Sequence, residues 1–290
     1  MIHTNRDEFI KILERTSAQT GFPLAMLEKD YYITLILSGI NILSGKLIFK
    51  GGTCLNKTYY SYYRLSEDLD FSLELPSGTV TRSMRRNTIK PIKDKIQPFA
   101  KGYGLGVEDI ETAGHHESTQ YIYYINYDSA IVDRRQSIKI EIGLRFNPLL
   151  PTLKRNIHHQ FLHPFTNEPL FDGGSVTCLA LKELVAEKMR AAATRAVIAP
   201  RDFYDLDYLY RAGFDFRDKE LHSLFQRKLA EDGFDTDLKR YCVNMGRSES
   251  ELRGMQSRIE AELLDVLTHK EKIAFNLHRA LNTLNDILKQ

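Results

Sequence analysis

A chain of 290 residues with 42% hydrophobic content can build one large core or two modest ones, and a formal net charge of +2 demands no polyanionic partner. No apolar run approaches the roughly 18 to 20 residues that span a bilayer, and the start, Met1 to Asp7, has no signal-peptide core, so the expectation is a cytoplasmic protein with no membrane partner. Cys54, Cys178 and Cys242 are odd in number and lack CxxC spacing, which argues against a disulfide framework or a zinc site and leaves them as small buried hydrophobes.

Helical periodicity opens the chain over Arg6 to Ser17 and again over Leu24 to Leu43, where Leu24, Leu27, Tyr31 and Leu35 recur at spacings of three and four. Ile48 and Phe49 feed a short strand into Gly51-Gly52, and a helix is expected from Leu55 to Tyr63. Leu69, Phe71, Leu73 and Leu75 alternate with Asp68, Asp70, Ser72 and Glu74, the period of a strand with one apolar and one polar face. Pro76-Ser77-Gly78 ends it.

A helix from about Val80 to Lys101 follows, expected to kink or break at Pro91 and Pro98. Between Arg82 and Lys101 it carries seven basic residues against the single acid Asp94, either a phosphate path or a solvated face neutralised from elsewhere. Tyr121 to Asn126 and Ser137 to Leu144 read as two strands joined by a hairpin-like connector. Pro148, Pro151, Pro164 and Pro169 punctuate an aperiodic region, and beyond Ser175 the pattern is helical. Helices are expected from Cys178 to Ala193 and from Pro200, then one carrying Leu252, Met255, Ile259, Leu263 and Leu267, and one carrying Phe275 to Leu288. The fold class is therefore α+β, with a mixed sheet flanked by helices over residues 1–170 and a helical bundle domain over 171–290.

An extended backbone places Asp68 and Asp70 on one face, about 7 Å apart, where their repulsion is offset most simply by a divalent cation. Alone, the pair also fits a solvent-facing strand with two incidental acids. Gly51, Gly52 and Thr53 at a strand-to-helix turn add a place where backbone N–H groups can approach a phosphate. Glu141, on a later strand, is a third acid that either joins the metal or forms the polar side of its strand. Lys188 continues the stripe of Leu181, Leu184 and Val185, so its charge either finds a partner such as a triphosphate or Asp205 or snorkels past the edge of the core. Asp202 stands where a first-turn helix acid is expected and needs no further role. Lys57 and Arg64 are candidates for phosphate contact or for surface salt bridges.

Together, Lys50-Gly51-Gly52-Thr53, Arg64-Leu65-Ser66-Glu67-Asp68-Leu69-Asp70-Phe71, Leu184-Val185-Ala186-Glu187-Lys188 and Arg201-Asp202-Phe203-Tyr204-Asp205-Leu206 resemble the AbiEii/MenT family of nucleotidyltransferase toxins, as does Glu28-Lys29-Asp30-Tyr31. The resemblance spans Leu27 to Leu209. It implies a polymerase-beta-like nucleotidyltransferase core followed by a helical domain, with the active site between them. It makes Gly52 and Thr53 part of the glycine motif, Asp68 and Asp70 the metal-binding acids, Lys188 the nucleotide-phosphate lysine and Asp205 the acid of the last motif, with Ser66 inside the signature. Glu141 as third metal ligand follows from the wider superfamily.

The function so implied is Mg2+- or Mn2+-dependent transfer of NMP from an NTP to an RNA acceptor. The acceptor expected is the 3′ end of tRNA, with arrest of translation and a cognate antitoxin gene nearby. Two other readings stay open at this point: NMP transfer to a protein hydroxyl, including Ser66 itself, and a catalytically silent NTP-binding module.

Overall fold

The structure, a computed structural model, describes residues 1–108 and 110–288. Lys289 and Gln290, the end of the expected helical domain, lie outside the described residues. The chain divides into two compact units, Met1–Leu179 and Ala180–Gln290.

In the first unit, α1 (Arg6–Thr20) starts on Asn5, whose side chain accepts from the Glu8 N–H, and ends on Gly21 in the left-handed conformation. Then come α2 (Leu24–Gly39), β1 (Leu47–Lys50), α3 (Gly51–Cys54), which passes into a π-turn over Leu55–Tyr59, and β2 (Leu69–Leu73). The helix after β1 thus begins at the first glycine and ends before Tyr60, earlier at both ends than the expected Leu55 to Tyr63. Next is α4 (Arg82–Gly102), which buries Ile89, Ile92, Ile96 and Phe99 at helical spacing. It runs through Pro91 and Pro98 without a break. Both prolines are exposed, as are Asn87 and Asp94, whose carbonyls lose their intrahelical donors and can turn to water instead.

The remaining strands are β3 (Gly106–Glu108), β4 (Gly114–His115), β5 (Gln120–Asp128), β6 (Arg135–Gly143), β7 (Leu153–Asn156) and β8 (Ser175–Cys178). Among the described residues they join β1 and β2 in one mixed sheet ordered β3-β5-β6-β2-β1-β8-β7, with β4 on β5. β2 is antiparallel to β1 and parallel to β6, while β1 is parallel to β8. Strand β8 carries the first unit past residue 170, where the sequence puts the boundary. A four-residue strand in a proline-punctuated region is too short to show a period. Leu69, Phe71 and Leu73 with Ile138, Ile140 and Ile142 form the buried face of the sheet, and the alternate residues form the other. Cys54 and Cys178 are free and buried, and both thiols lie by the Thr58 hydroxyl.

The second unit is helical, with α5 (Leu181–Thr194), α6 (Pro200–Arg211), α7 (Lys219–Glu231), α8 (Glu249–Gln256), α9 (Ile259–Glu262), α10 (His269–Ala274) and α11 (Leu277–Leu288). The single helix expected through Leu252 and Leu267 is instead α8, α9 and a 3-10 turn over Leu264–Val266. Met255, Leu263 and Leu267 are still buried, so the apolar spacing reports burial although the helix is interrupted. Among the described residues no helix is long and apolar enough to cross a membrane.

Candidate active site

The site in the first unit is built on sheet register. Lys50 at the end of β1 lies opposite Asp70 on β2, and Asp70 lies beside Glu141 on β6. One residue row thus crosses three strands as Lys50, Asp70 and Glu141. Asp68 is one residue before β2, on the same face as Asp70 and at the level of Lys139. All five side chains are half-buried.

The glycine turn is shaped by this row. Gly51 has φ of +76°, and a Cβ there would sit 2.3 Å from the Asp70 Oδ2. A Cβ on Gly52 would sit 2.4 Å from an Arg64 guanidinium nitrogen. The two glycines therefore let a carboxylate and a guanidinium close on the backbone at the start of α3. Arg64 is 2% exposed, donates to the Leu65 carbonyl and lies over the Tyr63 ring. Thr53 Oγ1 is 2.8 Å from Ser66 Oγ and within hydrogen-bond reach of the Asp68 carbonyl, tying the turn to the acidic loop.

Electrostatics single out Asp70. Burial, then the charges of Glu141 and Asp68, push its carboxyl up to about 6, against the opposing pull of Lys50 and Lys139. Glu141 moves the other way: burial raises it, but its ion pair with Lys139 at 3.1 Å and the bond to Gln120 more than reverse this. Burial likewise pulls Lys139 down, and Glu141, Asp68 and Asp70 outweigh it to leave the ammonium raised. The lysines thus leave uncompensated negative charge at Asp70, a setting that suits a divalent cation. Among the described residues no three His, Cys, Asp or Glu side chains gather closely enough to hold a metal unaided. Asp68 and Asp70 fit the pattern of Mg2+, which takes one or two carboxylates and completes its shell with water and phosphate. Glu141 is engaged by Lys139.

Lys57 has a different place from the one expected. It is wholly buried, 2.8 Å from Asp30 Oδ1, and it donates to Thr34 and Tyr62, while the Tyr62 hydroxyl donates to Asp30. Burial lowers its affinity for a proton, and Asp30 opposes that. The ammonium is spent inside the core, so phosphate contact is corrected to a structural ion pair. This also explains Glu28-Lys29-Asp30-Tyr31. Glu28 accepts from Ala130 N–H and the Ser129 hydroxyl in the β5–β6 turn, Lys29 pairs with Glu67 at 2.8 Å, Asp30 holds Lys57, and Tyr31 meets His3. One stretch of α2 fastens the β5–β6 turn, the acidic loop and the segment after the glycine turn.

In the second unit, Lys188 lies 2.8 Å from Asp205 and 3.1 Å from Asp202, and Arg195 lies 2.9 Å from Asp202. Both aspartates are fully buried. Asp202 is the first-turn acid of α6 as expected, though not its cap, which is Ala199, and it has a further role as the buried partner of Lys188 and Arg195. Burial pushes Asp202 up, and Lys188 and Arg195 more than reverse it, holding it below its ordinary value. The signal missed was Arg195, which stands only seven residues before Asp202 but outside both helices, where no periodicity marks the pair. Lys50 and Lys139 were missed likewise, since only register brings them to the acids.

A mixed sheet sets a glycine turn beside a row of carboxylates, and the family to which the chain belongs makes it a nucleotidyltransferase. The model of the nucleotidyl transferase AbiEii toxin family, type IV toxin–antitoxin system, matches residues 36–279, and the chain belongs to that family. Its fold is similar to MenT4, a nucleotidyltransferase toxin from Mycobacterium tuberculosis H37Rv, with a TM-score of 0.59 and 18% identity over 96% of this chain and 97% of that one. JHP933 from Helicobacter pylori is also similar, with a TM-score of 0.49 and 16% identity over 92% of each chain. Among curated proteins none matches the chain.

Proposed function

We propose that the chain transfers a nucleoside monophosphate from an NTP to an RNA hydroxyl, with the 3′ end of tRNA as the acceptor, and so arrests translation. The observation that carries this reading is the Asp70 carboxylate held against Gly51 in a row with Glu141, with Asp68 alongside. Asp68 and Asp70 would hold Mg2+ or Mn2+, which supplies charge stabilisation to the phosphates. The glycine turn and the start of α3 receive phosphate oxygens on backbone N–H groups, with Arg64 and Ser66 at its side. Lys188, oriented by Asp205 and Asp202, is assigned to the nucleotide phosphates on the family resemblance. The acceptor oxygen bonds to the α-phosphorus as the α–β bridging P–O bond breaks. Pyrophosphate leaves, and the hydroxyl proton passes to a carboxylate of the row.

An RNA acceptor is supported further by α4, whose Arg82, Arg86, Lys90, Lys95 and Lys101 are exposed, a charge arrangement suited to a phosphate backbone. Incubation with α-labelled NTPs, Mg2+ and total RNA tests the reading. Label on a tRNA-sized band, lost with Asp68→Ala, is expected. Label on the protein alone, located by mass spectrometry at Ser66 or another hydroxyl, would replace RNA with a protein acceptor. Retention of intact NTP without transfer would indicate a silent binding module.

A further inference from the structure

The open side of the sheet beyond the acids carries a second surface. β5 pairs with β6 so that Ile122 lies opposite Glu141 and Tyr124 opposite Lys139, while Glu108 on β3 lies on the far side of Tyr124. These side chains share the face of Asp70 by strand alternation. Tyr124 is 40% exposed, on a strand whose next three residues are buried. Two strand spacings put its Cα about 10 Å from that of Asp68. Lys139 stands between them, paired with Glu141.

Sheet order gives this surface a direction. The glycine turn leaves β1 on one side of β2, whereas Lys139 and Tyr124 are on β6 and β5 at the other side. Phosphoryl transfer needs the attacking and leaving oxygens roughly in line through the phosphorus. With the triphosphate at the glycine turn, pyrophosphate departs towards β1, and the attacking hydroxyl must come from the β6 and β5 side. A nucleotide whose hydroxyl is at the acids extends its base over this same surface, where an exposed aromatic ring and an ammonium stand side by side. An exposed ring of this kind takes single-stranded nucleic acid by stacking, since every base offers a π face.

We propose that Tyr124, flanked by Lys139, is the platform on which the terminal base of the single-stranded RNA acceptor stacks, presenting its hydroxyl to the Asp68 and Asp70 row. This rests on the transferase reading above and names where its acceptor docks. Two measurements on the full chain separate the two claims. The first is binding of a short oligoribonucleotide with 2-aminopurine as its 3′-terminal base, whose emission is quenched on stacking, and it needs no turnover. Quenching by the wild type and by Tyr124→Phe, lost with Tyr124→Ala, is expected. No quenching by the wild type, or equal quenching by Tyr124→Ala, overturns the platform.

The second is NMP transfer at varied RNA and NTP. Tyr124→Ala should raise the KM for RNA roughly 5- to 150-fold, the factor for one lost base–aromatic stack, while the KM for NTP moves less than about two-fold. A rise confined to the NTP KM would place the incoming base on Tyr124 and overturn the proposal. Absence of transfer by the wild type, with quenching intact, would overturn the transferase reading and leave the binding platform standing.

Discussion

Replacing Asp70 by asparagine should stabilise the protein at neutral pH while abolishing its chemistry. The Asp70 carboxyl is pushed from an ordinary 3.8 up to about 6, so ionising it costs more in the folded chain than in the unfolded one. Each pKa unit corresponds to about 1.4 kcal/mol, which sets an upper bound near 3 kcal/mol, and partial solvent access reduces this to about 1–2 kcal/mol. The sign follows from the raised value. The charge penalty is absent below about pH 4, grows as the pH rises through 6, and is complete above it. The amide of the Asp70→Asn variant carries no charge at any pH and keeps the side-chain shape that Gly51 accommodates.

Urea or thermal unfolding of wild type and Asp70→Asn, in EDTA at pH 5, 6 and 8, checks this. The variant should gain about 1–2 kcal/mol at pH 8, a melting shift of roughly 2–6 °C, with the gap narrowing towards pH 5. An Asp70→Asn protein less stable than wild type at pH 8, or a gap independent of pH, would refute the electrostatic account of the row.

Gly51→Ala should cost at least about 1–3 kcal/mol in denaturant unfolding, since φ of +76° is strained for alanine and its Cβ meets Asp70. Asp30→Asn leaves Lys57 buried against a neutral partner and should destabilise by about 3–5 kcal/mol, whereas Asp30→Leu with Lys57→Met should recover most of that loss, as read from urea midpoints. Asp202→Asn should cost about 1–3 kcal/mol at pH 7, because Asp205 still holds Lys188 while Arg195 loses its partner. Asp202 is held below its ordinary value, so this cost is present above about pH 4 and fades as the pH falls through the depressed value, which a pH series of unfolding curves would display.

The strands and helices with strong periods were legible from the sequence. β2 and β6 follow the alternation of Leu69 to Leu73 and Ile138 to Ile142, and α6 starts at Pro200 as its proline signals. β7 and β8 were not, because four residues cannot establish a period and their place in the sheet depends on neighbours distant in sequence. The same limit governs the site. Asp68, Asp70 and the glycines stand close along the chain and share one motif. That Lys50 and Glu141 flank Asp70, that Lys139 holds Glu141 and that Arg195 holds Asp202 are facts of register and packing. Lys57 shows the converse: a lysine near a phosphate-binding motif reads as a contact, and only its complete burial on Asp30 reveals a core ion pair.

The central claim, nucleotidyl transfer at the Asp68 and Asp70 row, is tested most directly by comparing two labels on the same NTP. With RNA and Mg2+ present, α-labelled NTP should leave its label on the acceptor and γ-labelled NTP should release its label as pyrophosphate, and neither should occur with Asp70→Asn. Transfer of the γ-label to the acceptor, or α-label transfer undiminished by Asp70→Asn, would contradict it.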